Sequence, residues 1–469
     1  MKKLCMLTVL FLALTCGIVC YSAGVTPLTF FAALRSSALA AAPQDGARTS
    51  DSPSSVAPSM QTQTRGVWVA TAYSIDYPAQ PTTDADTLRA ECRTALDRIA
   101  ASGANTVYFQ VRPSCDALYR SQLFPWSRYL TGTCGTAPSD SFDPLAYWVE
   151  QAHARNLRLE AWVNPYRICA GANAQSDFAA LPDSSPAKQH PEWVVSCDGG
   201  YYFNPGIAEV RQLICDGVSE IVSKYAVDGI QFDDYFYPST QFDDAAVYQA
   251  SGSNLPLADW RRDNVNQLVQ AVNTAVHQNA MQAGCRFGIS PSGIWRNKGA
   301  NAFTGSATHG FEHYSSSYAD SVTWIKNGWI DYICPQIYWH IGDTAADFQT
   351  LANWWSHQVR GTDVQLVLGL AAYKIGDSQY GDVWANDGCG EIGRQLDLAA
   401  GTGLGVGKDL VDLRGQQDTA EDGVVAELLA LLGLLDHVID KEIVVVDRSG
   451  LQAAVAADIF PRHCADAGD

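Results

Sequence analysis

A (β/α)₈ barrel is predicted by two observations: strand-like and helix-like runs alternate from Arg65 to about Ala400, and several strand-like runs end in a polar or aromatic cluster. In such a barrel the working site is assembled at the carboxyl ends of the strands, so polar residues there point to chemistry rather than packing. A doubly wound sheet also alternates strand and helix. It would concentrate its site in one crevice beside a glycine-rich phosphate turn, which the alternating part of this sequence lacks.

Seven strands are predicted, over 66–71, 106–112, 158–164, 229–233, 286–290, 332–338 and 365–371. The runs FQVRP, EAWVNPYR, IQFDDYFYP, ISPSGIW, PQIYWH and LAAYKIG show the change from apolar strand to polar or aromatic end. Between the first two strands, Leu88, Cys92, Leu96 and Ile99 fall on one helical face and Gly103 supplies the stop. A second helix opens at Asp143-Pro144, where Asp caps and Pro fits the first turn, and it presents Leu145, Trp148, Val149 and Ala152. Ile207, Val210, Ile214, Val218 and Ile221 form a third stripe.

The chain has 469 residues, 47% hydrophobic and 17% charged, enough for a full core in one large domain or two ordinary ones. A net charge of −19 argues against nucleic acid or an anionic membrane surface as partner, since both need clustered Lys and Arg. A neutral or cationic ligand fits better. The 13 Trp and 20 Tyr include residues suited to stacking on sugar rings as well as core.

Lys2 and Lys3 precede an apolar run from Leu4 to about Cys20, and Ala38-Leu39-Ala40 is a candidate cleavage site, so 1–40 reads as an export segment. The apolar character continues through Phe30 and Phe31, which leaves an uncleaved membrane anchor as the alternative. Cys16 and Cys20 raise the question of a lipid attachment site, but the residues before them match such a box poorly. Residues 41–64 have the composition of a spacer. The expected location is therefore extracellular or cell-envelope associated, with membrane contact only through the N-terminal segment. Ten of the 13 Cys follow that segment with no CxxC pair, so no metal or other cofactor is implied. Cys115 with Cys134 and Cys169 with Cys197 are loop-placed disulfide candidates, whereas Cys92, Cys215 and Cys334 read as buried hydrophobes.

Asp233 and Asp234, in DGIQFDDYFYP, are the main catalytic candidates, because glycosidic hydrolysis needs a carboxylic acid and a carboxylate. Strand alternation places Gln231, Asp233 and Tyr235 inward and Asp234 outward, which ranks Asp233 first; Asp234 reaches the site if the backbone leaves strand geometry there and otherwise orients a neighbour. The bland reading is a pair of acids capping a loop or binding a cation. Glu160 shares a face with Trp162 and Asn164, and two readings stand side by side: a general acid raised by burial, or a salt-bridge partner of Arg112 or Arg167. Gln110, Arg112, Asn164, Arg167, Asn204, Gln336 and Tyr338 offer hydrogen bonds at strand ends, while Trp162, Trp295, Trp339 and Tyr373 complete a candidate sugar cleft. His309-Gly310-Phe311-Glu312-His313 has the HxxEH spacing of some zinc peptidases, but its surroundings disfavour the helix that would align both His. Gly401–Lys408 imitates a phosphate loop yet has Thr402 for the first Gly and Asp409 for the Ser/Thr.

RGVWVAT, FQVRP, DPLAYWVEQAHARNLRLEAWVNPYR, YYFNPG, DGIQFDDYFYP, FGISPSGIWRN, IDYICPQIYWH and LGLAAYKIG occur in one order, and together they resemble the glycosyl-hydrolase-like family 10 proteins of bacterial envelopes. The resemblance covers Arg65 to Ala400. It implies a (β/α)₈ barrel, a lipoprotein or secreted location, in some members cleavage of peptidoglycan glycan strands, and a catalytic carboxylate in the Asp233-Asp234 segment. The resemblance stops at Ala400, after which Trp and Tyr are absent and the chain is acidic. A reading-frame change accounts for so abrupt a shift; the alternative is a genuine appendage with the eighth strand at 406–413 or 443–446. Either way the eighth strand and the tail over 401–469 are atypical. The expected function is hydrolysis of an envelope glycan, against a rival reading as a non-catalytic glycan-binding barrel and a weaker one as a zinc amidase.

Overall fold

The computed structural model describes residues 64–139, 142–298, 305–401, 442–448 and 451–457. The export segment, nearly all of the spacer and the candidate strand at 406–413 lie outside the described residues. In chain order the strands are β1 (Gly66–Val69), β2 (Thr106–Arg112), β3 (Arg158–Val163), β4 (Arg167–Cys169), β5 (Val194–Cys197) and β6 (Gly200–Phe203). They continue with β7 (Gly229–Phe232), β8 (Arg286–Ile289), β9 (Tyr332–Ile333), β10 (Gln365–Gly369), β11 (Glu442–Arg448) and β12 (Leu451–Ala457).

The seven predicted strands are β1, β2, β3, β7, β8, β9 and β10, and they pair in that order, each parallel to the next. Helices follow the strands in the (β/α) pattern, among them Ala85–Ala101, Pro144–His153, Ala208–Lys224, Leu257–Asn279, Phe348–Val359 and Asp382–Gly401. β4, β6 and β5 make a separate antiparallel sheet, inserted after β3. The strand predicted over 332–338 shrinks to Tyr332–Ile333 because Pro335 has no N–H to give the ladder. Beyond it Gln336 keeps only isolated bridges to Ser292 and Gly369, which frees this segment to carry site residues.

The eighth position departs from the barrel rule. β11 runs antiparallel to β10, with Leu368 opposite Val446, and β12 returns antiparallel to β11 to lie beside β1. The candidate strand at 443–446 therefore exists, but as one arm of a hairpin rather than as a parallel eighth strand. Seven curled strands leave two unpaired edges; the hairpin pairs with the β10 edge and lies close to β1.

Local signals explain the frame. Asp84 accepts hydrogen bonds from the amides of Asp86 and Thr87 to start the first long helix, and Asp143 accepts from Ala146 to start the next, with Pro144 in its first turn. Alternation along the strands divides the core in two. Trp68, Tyr108, Tyr332, Cys334 and Val367 fill the interior with Trp162 packed against them, while Val69, Val107, Phe109 and Val163 face the helices. Phe109 stacks on the fully buried Trp148 at 4.3 Å between centroids, and Tyr77 meets the same indole edge-on at 5.0 Å.

The nine described cysteines are thiols, Cys92, Cys215 and Cys334 being buried as expected. Neither candidate disulfide forms; Cys115 Sγ instead packs 3.9 Å from Ser185 Oγ. Among the described residues no helix is long and apolar enough to cross a membrane. Trp148→Ala empties a fully buried indole site between sheet and helices, and we expect a loss of roughly 3–5 kcal/mol in urea unfolding.

Candidate active site

β7 sends Gln231 into the interior and Ile230 and Phe232 against the helices, and the chain leaves strand geometry directly after Phe232. That break brings Asp234 beside Asp233 instead of turning it outward as strict alternation requires. The two half-buried carboxyls hydrogen-bond each other. Asp233 Oδ1 also accepts from the Asp234 amide at 2.9 Å and from Gln336 Nε2 at 3.0 Å. Gln336 is itself fixed, donating to the Ser290 carbonyl oxygen at 3.0 Å.

Burial raises the Asp233 carboxyl above its ordinary range, while the Asp234 amide and the Arg167 guanidinium work against the rise. Burial followed by the charge of Asp233 pushes Asp234 well above that range. The pair therefore holds one proton between two acids, and Asp234 is its seat. Arg167 lies 3.8 Å over the Tyr235 ring, and the charge of Asp233, ahead of burial, pushes the Tyr235 hydroxyl up to about 12. Tyr338 is raised first by burial, then by Tyr373 and Asp233. Its ring meets Tyr373 edge-on at 5.7 Å, and its carbonyl oxygen accepts from Lys374 Nζ at 2.6 Å.

Behind Asp234 stands His313, a residue whose part the sequence did not disclose. Its Nε2 is 2.8 Å from the Asp234 carbonyl oxygen, which can only accept, so the ring is the Nε2–H tautomer. Burial holds its pKa down to about 4, so the ring is neutral. His309 is exposed while His313 is buried, so the HxxEH spacing does not converge on a metal. Tyr235, set at the mouth beneath Arg167, was legible only as a neighbour of the two acids.

Trp162 and Asn164 remain at the strand end, with Trp162 Nε1 donating to Asn164 Oδ1 at 3.1 Å and Asn164 Nδ2 donating to the Pro113 carbonyl oxygen at 3.0 Å. Trp339 is half-buried beside Gly293, and its carbonyl oxygen accepts from Gln395 at 3.1 Å. Five expected site residues take other work. Glu160 is 0% exposed; Oε1 pairs with Arg286 Nη2 at 2.5 Å and Oε2 accepts from Tyr332 at 2.7 Å. Its ion-pair partner is thus neither Arg112 nor Arg167, and Gly229 opposite leaves the room this carboxylate needs.

Arg112 turns outward because the β2–β3 register slips between Gln110 and Arg112, setting it level with Val163. Its guanidinium lies 3.6 Å over Phe124, against Gly217 of the helix Ala208–Lys224. Gln110 is buried, its Oε1 accepting from the amides of Thr71 at 2.8 Å and Ala72 at 2.9 Å, so it shapes the turn after β1. Asn204 is buried and closes its own Asn-Pro-Gly turn, accepting from the Gly206 amide at 2.9 Å. Trp295 is buried in an aromatic loop core, stacked on Trp354 at 5.7 Å and edge-on to Tyr314 at 5.1 Å.

The sequence profile of the family described as Glycosyl hydrolase-like 10 matches residues 63–386. The chain belongs to that family. Within it, the chain is 43% identical over 321 residues to Glycosyl hydrolase YngK of Bacillus subtilis, a match covering 67% of this chain and 61% of that protein. It is 38% identical over 352 residues to Glycosyl hydrolase DigH of Escherichia coli, covering 71% of this chain and 79% of that one. Among solved structures, the PgaB (BpsB) glycoside hydrolase domain from Bordetella bronchiseptica is similar at a TM-score of 0.47 and 14% identity, over 73% of this chain and 92% of that one. For this glycosyl hydrolase-like 10 member, the matched span holds Asp233, Asp234, Arg167, His313, Gln336 and Tyr338, and it ends before the atypical tail.

Because Asp234 is raised in the folded protein, its favourable contribution is complete below the ordinary aspartate pKa and is lost as pH rises through the folded value. Asp234→Asn should therefore melt higher than the parent at pH 7, and the gap should close in acid. Arg286→Leu leaves the Glu160 charge buried and unpaired and should cost about 3–5 kcal/mol in urea unfolding. Glu160→Leu combined with Arg286→Leu should recover part of that loss.

Proposed function

We propose that this family member is an exported glycoside hydrolase that cuts peptidoglycan glycan strands, with Asp234 as proton donor and Asp233 as its partner carboxylate. The observation that carries the reading is the acid pair in contact at the mouth of the barrel, with the Asp234 amide and Gln336 fixing Asp233 and both carboxyls raised above the ordinary aspartate range, Asp234 well above it. A protonated acid with a fixed neighbour is what departure of a sugar oxygen requires. Tyr235 and Tyr338 interact with the acid pair, Tyr373 packs on Tyr338, and together they supply faces and hydroxyls for sugar rings. The relatives Glycosyl hydrolase YngK and Glycosyl hydrolase DigH agree by name with hydrolysis of glycosidic bonds, and the Lys2-Lys3 apolar leader supports export to the compartment where such a glycan lies.

The test is reducing-end release from peptide-free glycan strands. Asp233→Asn should lower kcat by roughly 10²-fold or more while strand binding persists. Wild-type protein that binds strands and never cuts them would instead favour the glycan-binding reading. Activity against pH should be bell-shaped, falling in acid as Asp233 takes a proton and in alkali as Asp234 loses its own; a profile with a single limb would contradict the division of roles.

A further inference from the structure

Hydrolysis by two carboxyls normally places them on opposite sides of the bond, about 5–5.5 Å apart for retention or roughly 6.5–9.5 Å for inversion. Asp233 and Asp234 are adjacent and in hydrogen-bond contact, so they approach the bond from one side. A separate carboxylate for the other face has to come from elsewhere, and among the described residues the acid on β3 and those in the segments after β1 and β8 are engaged. Glu160 is sealed beneath the site by Arg286 and Tyr332. Asp76 is buried at the end of β1, accepting from the Ala70 amide at 2.6 Å. Glu312 accepts from the Asn297 amide at 2.8 Å and from Ser315 at 2.6 Å.

We infer that the nucleophile belongs to the substrate: the carbonyl oxygen of a 2-acetamido group on the sugar whose bond is cut. This rests on the glycosidase reading above, and it narrows the substrate class to glycans of N-acetylated 2-amino sugars. Asp233 is suited to guide such a group, because Gln336 and the Asp234 amide fix one carboxylate oxygen and set the direction of the other. It accepts from the acetamide N–H and turns the carbonyl oxygen toward C1.

The electron balance closes without a further reagent. The acetamide oxygen forms a bond to C1 as the C1–O bond to the leaving sugar breaks, and Asp234 gives its proton to the departing oxygen. The resulting oxazolinium ion carries its positive charge next to the Asp233 carboxylate. Water then adds to C1 from the face the leaving sugar vacated, returns a proton to Asp234, and releases the acetamide oxygen. Two displacements at C1 leave its configuration retained.

The test uses the full chain with peptide-free glycan strands that have been de-N-acetylated and then re-acylated with either acetyl or trifluoroacetyl groups, beside the free-amine strands. Trifluoroacetyl has nearly the size of acetyl but a much poorer carbonyl nucleophile, so its expected effect is a fall in kcat of roughly a hundredfold at similar KM. Free-amine strands should not be cut, although a chain of net charge −19 favours their binding. NMR of fresh product should show retained configuration. Cutting of all three glycans at comparable kcat, or an inverted product, overturns the inference and leaves the glycosidase reading standing. No cutting of even the re-acetylated strands overturns both.

Discussion

Two carboxyls held in contact at the rim of an apolar barrel are costly to keep, and much of the nearby structure is explained by that contact. One proton must stay between them, and each neighbour settles where it lies. Arg167 and Gln336 favour charge on Asp233; the charge so favoured lifts Asp234. His313 anchors the Asp234 backbone with a neutral ring, which secures the position without adding a cation that would draw the proton away. A charged Lys or Arg in its place would weaken the asymmetry on which the chemistry depends.

Beneath the rim, the barrel carries a second set of charges for a different purpose. Glu160 on β3 and Arg286 on β8 reach across β7, with Gly229 leaving the space between them and Tyr332 completing the carboxylate's hydrogen bonds. A buried pair of this kind contributes modestly as a whole but penalises any arrangement that separates its members. It therefore fixes the register of the three strands that hold the acid pair. Trp68, Tyr108 and Tyr332 pack in the interior, where Tyr332 touches the Glu160 carboxylate.

The parts of this arrangement legible in the sequence were those set by periodicity and by strand-end chemistry. All seven parallel strands could be placed, because each apolar run is short enough to be distinguished from a helix and most end in a visible change of residue type. Asp233 was singled out by the same rule. For Asp234 alternation alone pointed outward and a break in strand geometry pointed into the site; the sequence left the two open, and the chain leaves the strand directly after Phe232. Arg112 was assigned to the cleft for a related reason: a one-residue register slip reverses the side on which a residue points, and composition gives no sign of it. Glu160 was recognised as inward, but its partner lies 126 residues away in a strand that pairs with neither of its own edges. The work of His313 depends on a contact across 79 residues, and its only local signal was the misleading HxxEH spacing. The hairpin beside β10 had no precedent in the alternating pattern.

The proton shared by Asp233 and Asp234 can be observed without any substrate. With aspartate carboxyls labelled with carbon-13 and the two resonances assigned by Asp233→Asn and Asp234→Asn, an NMR titration follows each group separately. The account predicts that Asp234 titrates far above the ordinary aspartate range, that Asp233 is raised by its burial but titrates before Asp234, and that Asp233→Asn brings Asp234 down. Two carboxyls that both titrate in the ordinary range, each indifferent to removal of the other, would contradict it.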